Sequence, residues 1–123
     1  MNGTYCSTLL IGAKATACIC NQLNPKMVGA NIMTIYPDSE LYQEIKNGNW
    51  IEETEIEKYI EVRTLVENLE IPVEFAALGA SNAFQLIGNL PEDRHKLLSK
   101  LDRIINNVDE EELRNYRRNL RHL

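Results

Sequence analysis

The sequence predicts an α/β fold with few strands flanked by helices. Three observations carry this. The run "MVGANIMTIY" (27–36) is almost continuously apolar and is bounded by Pro25 and Pro37. A run of that kind reads as a strand buried on both faces, as in a parallel sheet with helices on its flanks. Strongly amphipathic helical patterns lie downstream of it, and a second strand, "VEFAAL" (73–78), lies among them. Buried strands alternating with helices argue for βα units. Two strands cannot close a parallel barrel, so the chain reads as the end of a larger α/β protein.

The elements follow in order. Residues 1–12 carry no clear signal. "KATACICNQL" (14–23) is rich in helix formers and stops before Pro25, because the residue preceding a proline avoids the helical region. After the first strand, "DSELYQEIKNG" (38–48) reads as a short helix. Asp38 or Ser39 caps it, Leu41, Tyr42 and Ile45 form its apolar face, and Gly48 supplies the left-handed stop. "TEIEKYIEVRTLVENL" (54–69) has a capping box in Thr54 and Glu57 and an apolar stripe from Ile56 to Leu69. Strand 73–78 is followed by an irregular loop. Pro91 opens the next helix, where its missing N–H is harmless. That helix is striped by Leu97, Leu98, Leu101, Ile104, Ile105 and Val108. A last helix starts at Asp109 and buries Leu113, Tyr116 and Leu120.

At 123 residues the chain makes one domain, and its net charge of −5 disfavours nucleic acid as a partner. The tail "RNYRRNLRHL" (114–123) carries four arginines and no acid, which suits the C-terminal end of a solvated helix. Cys6, Cys18 and Cys20 lack the spacing of a disulfide framework and read as core or near-core free thiols in a reducing compartment. The N-terminal apolar stretch is short and interrupted by Lys14, and no basic region precedes it. The expectation is a cytoplasmic protein without a membrane partner.

Catalytic groups are sparse. His95 and His122 sit beside charged residues on helices and read as surface histidines. Ser81 has no Gly-x-Ser-x-Gly elbow, and neither G-x-G-x-x-G nor a P-loop occurs. No metal ligand set and no catalytic residue is assigned.

One stretch resists a simple reading. From Gly79 to Pro91, thirteen residues carry no charge in a chain where 25% of residues are charged. A core would use more Leu, Ile and Val, and an exposed loop would use more charge. The expectation is a loop pressed against something else.

Together, "LNPKMVGANIMTIYPDSELYQEIKNG" and "FAALGASNAFQLIGNLPEDRHKLLSKLD" resemble the C-terminal third of a group of radical S-adenosylmethionine proteins. That group stands with the Elongator-type and methylthiotransferase-like radical enzymes. Its members carry N-P, a strand, then P-G-T-P-L-Y-E-E, a long helix, and H-A-S-N-Y-L-P-L-x-G-x-L-P-x-D-K. Ala80, Ser81, Asn82, Gly88, Leu90 and Pro91 agree with the second segment. Gly79 and Ala83 replace its His and Tyr, and Asp38-Ser39-Glu40 replaces Gly-Thr-Pro of the first.

The resemblance implies the C-terminal portion of a partial TIM-like (radical S-adenosylmethionine) barrel. Residues 13–106 would carry it, with 1–12 unassigned and 107–123 a basic C-terminal helix. Met33, Thr34, Ile35 and Tyr36 would lie on the last barrel strand, facing the adenine of the cofactor in full-length relatives. Ser81 and Asn82 would belong to a loop at the barrel mouth. Those relatives use S-adenosylmethionine and a [4Fe-4S] cluster held by C-x-x-x-C-x-x-C, a motif absent from this sequence. The chain itself is expected to hold no cofactor and to be inactive alone.

Two other functions compete with this one. An exposed apolar strand would make the chain an interaction module, with Val28, Ile32, Ile35 and loop 79–90 left bare. That reading predicts a homodimer with an apolar interface of roughly 2,000 Å² or more. A small enzyme or RNA-binding protein using the basic tail is the third.

Overall fold

The computed structural model describes residues 3–30, 38–49, 54–78 and 82–119, with side-chain surroundings from Gly12 onward. It is α/β: five helices and a three-stranded sheet among the described residues. In chain order these are α1 (Gly3–Leu23), β1 (Met27–Gly29), α2 (Glu40–Lys46), α3 (Glu55–Asn68), β2 (Val73–Ala77), β3 (Leu86–Leu90), α4 (Arg94–Asn107) and α5 (Glu110–Asn119).

The sheet order is β1-β2-β3. β1 runs parallel to β2, with Val28 opposite Phe75, and β3 runs antiparallel to β2, with Gly88 opposite Phe75. Side chains alternate across a strand, so the pairing divides the sheet into two faces. Val73, Phe75, Ala77, Leu86 and Leu90 point into one core with Ala17, Tyr59, Val66, Leu69, Leu97, Leu101, Ile104 and Leu113 from the helices. On the other face Met27, Gly29, Glu74, Ile87 and Asn89 are exposed. Ala76, between Gly29 and Ile87 in the register, is the buried exception. Helices therefore cover one face. α3 packs between α1 and α4, and α4 lies on β3, which puts α1 toward the β1 end of the sheet.

The two sheet edges differ. Lys26 O accepts from Glu74 N (3.0 Å) and Ala30 N donates to Ala76 O (2.9 Å), so the even-numbered residues of this segment pair with β2. Met27 and Gly29 consequently turn their N–H and C=O groups outward. On the opposite edge Asn89 also faces outward, but Asp93 folds back on it. Asn89 N donates to Asp93 Oδ2 (2.8 Å), and Asp93 N donates to Asn89 O (2.7 Å). Lys100 Nζ donates to Gln85 O (2.8 Å) just before the strand.

Several expectations are corrected. The helix expected at 14–23 begins at Gly3, inside the segment that carried no signal. The strand expected at 27–36 to be buried on both faces is, in its described part, a three-residue edge strand with Met27 54% exposed. A strand at the end of a sheet has neighbours on one side only, and the helices cover only one face. Residues 31–37 lie outside the described residues.

The irregular loop expected after β2 contains a strand. Leu86 and Leu90 point into the core, while Ile87 and Asn89 point out. Glycine and asparagine hid this alternation. Gly88 is needed by close approach: a Cβ there would lie 2.9 Å from Asp93 Cβ and 3.1 Å from Leu97 Cδ1. The second half of the uncharged stretch is thus pressed against the chain's own α4.

Pro91 sits in the turn before α4, three residues ahead of the helix start at Arg94. In α2, Ser39 is the cap, its Oγ accepting from Tyr42 N (3.2 Å), and Gly48 has φ +79° as a left-handed stop. The capping box of α3 forms in both directions: Glu57 N donates to Thr54 Oγ1 (3.1 Å), and Thr54 N donates to Glu57 Oε1 (2.8 Å). Cys18 is exposed and Cys20 half-buried, so of these two Cys20 is the one near the core, and the side chain of Cys6 lies outside the described ones. In α5, Leu113 is buried but Tyr116 is exposed, and Arg117 takes the buried position beside it. Leu120 and His122 lie outside the described residues.

Candidate functional site

Two polar clusters flank the core. The first lies where the parallel strands β1 and β2 end, the position at which α/β sheets bind ligands. Of the residues assigned there from the sequence, Met33, Thr34, Ile35, Tyr36 and Ser81 lie outside the described residues. Asn82 is buried, and its Nδ2 donates to Ala30 O (3.3 Å), tying the chain after β2 to the end of β1. Gln85 Nε2 donates to Asn82 O (3.4 Å). In this fold Asn82 is thus a buried amide that joins two segments whose backbone groups need partners.

Beside it Tyr59, from α3, meets the Phe84 ring edge-to-face with centroids 5.9 Å apart. The Tyr59 hydroxyl is buried next to the backbone of Ala83 and Phe84 but lacks good hydrogen-bond geometry to any partner among the described residues. Burial first, and the Glu55 carboxylate second, push its pKa up to about 12. A phenol held neutral in this way is a poor general base at any ordinary pH.

Sequence reasoning missed the second cluster. Glu55, at the start of α3, and Arg117, on α5, are both buried and paired: Arg117 Nη1 donates to Glu55 Oε1 (3.3 Å) and Oε2 (3.2 Å). Lys58 Nζ donates to Glu55 Oε1 (3.3 Å) from the next turn of the helix. Glu110 of α5 caps α3 across space. Its Oε2 accepts from Glu55 N (2.8 Å) and its Oε1 from Ile56 N (2.9 Å), while Arg114 Nη2 lies 3.5 Å from Oε2. With Thr54 taking Glu57 N, all three N–H groups that open α3 have partners. A carboxylate there also suits the positive end of the helix.

This arrangement fastens α5 to α3. It does not resemble a reaction centre, because both carboxylates are engaged by cations or by backbone N–H groups. The only sequence signal for it was the four-residue spacing of Leu113 and Arg117, and nothing local pointed to Glu55.

Elsewhere, His95 is exposed. Among the described residues no group of three or more His, Cys, Asp or Glu is placed to hold a metal ion. No helix is long and apolar enough to cross a membrane, again among the described residues. Comparison with protein-family models, with curated proteins and with solved structures finds no match in any of the three.

Proposed function

We propose that this chain is the C-terminal part, or a remnant, of a radical S-adenosylmethionine protein, and that it contributes structure rather than catalysis. The observation that carries this reading is the one-sided sheet. A parallel barrel covers its strands with helices on the outside and leaves the inner face to the barrel interior. Here β1 and β2 are parallel, the helices lie on one face, and the described residues of the other face are mostly exposed. The match at Asn82, Gly88, Leu90 and Pro91 supports the same origin, while the replacement of the family's His and Tyr by Gly79 and Ala83 supports loss of activity. S-adenosylmethionine and the [4Fe-4S] cluster belong to full-length relatives; a chain with only Cys6, Cys18 and Cys20 has no three-thiolate motif for such a cluster.

The test is to sequence the DNA upstream of the Met1 codon and to analyse the purified chain for iron and sulfide after anaerobic reconstitution. A neighbouring frame encoding C-x-x-x-C-x-x-C, with no iron bound by the chain itself, is expected. Unrelated sequence upstream would remove the proposed origin, and stoichiometric iron would remove the structural role.

A second reading, an interaction module that self-associates through an exposed apolar strand, is favoured by the unequal sheet edges. Among the described residues Asp93 takes both outward backbone groups of Asn89 on the β3 edge, whereas the outward backbone groups of Met27 and Gly29 meet no partner.

A further inference from the structure

We infer that the α1–β1 side of the molecule is a self-recognition surface, on which a second copy of this chain docks with its own α1–β1 side. The inference rests on the interaction-module reading and names the surface that the reading leaves open.

Three features coincide on this side. The first is the β1 edge, where Met27 is 54% exposed and its outward N–H and C=O groups, with those of Gly29, are without partners among the described residues. A row of such groups is a template for another strand.

The second feature is on α1. Asn21 faces α3: its Nδ2 donates to Asn68 O (3.1 Å), and Glu70 N donates to its Oδ1 (2.8 Å). Ile19 and Leu23 lie two positions either side of Asn21, about 160° round the helix axis. They therefore point away from α3, past the β1 end of the sheet, and they are 57% and 73% exposed. Leu23 is the most exposed of the large apolar side chains among the described residues. Gly12 and Thr16 share this side of α1, and a Cβ added at Gly12 would meet nothing within 4 Å.

The third feature is charge. The molecule is acidic, yet the α1 sequence contains no carboxylate and a single charge, Lys14. Two copies of an acidic chain can approach through this helix with little like-charge repulsion.

A second copy fits because one operation satisfies both layers. A twofold axis perpendicular to the sheet, beside β1, sets β1 antiparallel to its symmetry mate and extends the sheet from three strands to six. The same axis keeps the helices of both copies on one face and brings α1 against α1, covering Ile19 and Leu23. A self-complementary patch of this kind is what a twofold interface requires.

Sedimentation velocity of the full chain across the micromolar range tests the inference, with far-UV circular dichroism of each variant. Wild type is expected to be a dimer. Leu23→Glu and Ile19→Glu each place two carboxylates at the axis and should weaken it by about a hundredfold or more. Both positions are exposed in the monomer, so the fold should persist. Ile87→Glu, on the uncovered sheet face, should leave the dimer unchanged. Amide exchange at Met27 and Gly29 should slow as wild-type concentration rises, a readout independent of the variants. A wild-type monomer throughout overturns the interaction-module reading itself. A dimer indifferent to Leu23→Glu and Ile19→Glu, or one broken by Ile87→Glu, overturns only this choice of surface.

Discussion

Leu86 is 1% exposed and Ile87 is 56% exposed, although they are consecutive residues of one strand. They represent the two faces of the sheet. On the covered face, Val73, Phe75, Ala77, Leu86 and Leu90 meet helices chosen to fill the space above them, down to a glycine at 88 where α4 comes too close for a Cβ. On the other face the same strands offer Met27, Glu74, Ile87 and Asn89 to the surroundings. Among the described residues the packed core lies on one side of three strands, and the other side is mostly exposed.

The sharpest way to break this comparison is a pair of truncations in β3. Leu86→Ala, and likewise Leu101→Ala in α4, should each cost about 3–5 kcal/mol in urea denaturation, because both side chains are fully enclosed. If Ile87→Ala costs as much as Leu86→Ala, the faces are not different in kind.

Next in size is the fastening of α5. Arg117→Ala leaves Glu55 buried with Lys58 as its remaining cation and should cost about 3 kcal/mol, read from the same denaturation midpoint. Glu55→Gln with Arg117→Met, which removes both charges together, should recover most of that loss.

A smaller effect appears at high pH. The Tyr59 pKa is about 12 in the folded chain, against roughly 10 for a free phenol. The folded state keeps its proton longer than the unfolded state does. The associated stability is whole below pH ~10 and is lost as pH rises through ~12, a decline on the order of 2 kcal/mol. Tyr59→Phe should flatten that alkaline limb. At neutral pH the same substitution should be nearly neutral, because among the described residues the hydroxyl it deletes makes no hydrogen bond of good geometry. A large loss at pH 7 would show that the hydroxyl is bonded.

Thr54→Ala should cost about 1 kcal/mol, through the lost bond to Glu57 N. Smallest of all, Ile87→Ala should stay within about 0.5 kcal/mol of wild type, which is the lower limb of the comparison.

Legibility in the sequence followed the range of the interactions. The capping box at Thr54, the Ser39 cap, the Gly48 stop and the α4 stripe are set by residues three or four apart, and all were readable. The parallel relation of β1 and β2 was also anticipated from their apolar character and the helices between them. β3 was missed because its outward and inward residues include Asn89 and Gly88, which meet Asp93 just before α4 and Leu97 within it. Arg117 was missed for a longer-range reason. Its partner Glu55 is 62 positions earlier, and local periodicity assigns the buried place equally well to Tyr116. At the candidate site, the resemblance placed Asn82 in a barrel-mouth loop, whereas its bond to Ala30 O joins positions 52 apart and left no local signal.

The carboxylate of Asp93 has a consequence for growth. By turning back on Asn89 it takes both outward backbone groups of that residue, so a strand added at this end of β3 must first displace Asp93. One residue thus biases any edge-to-edge growth of the sheet away from the β3 margin.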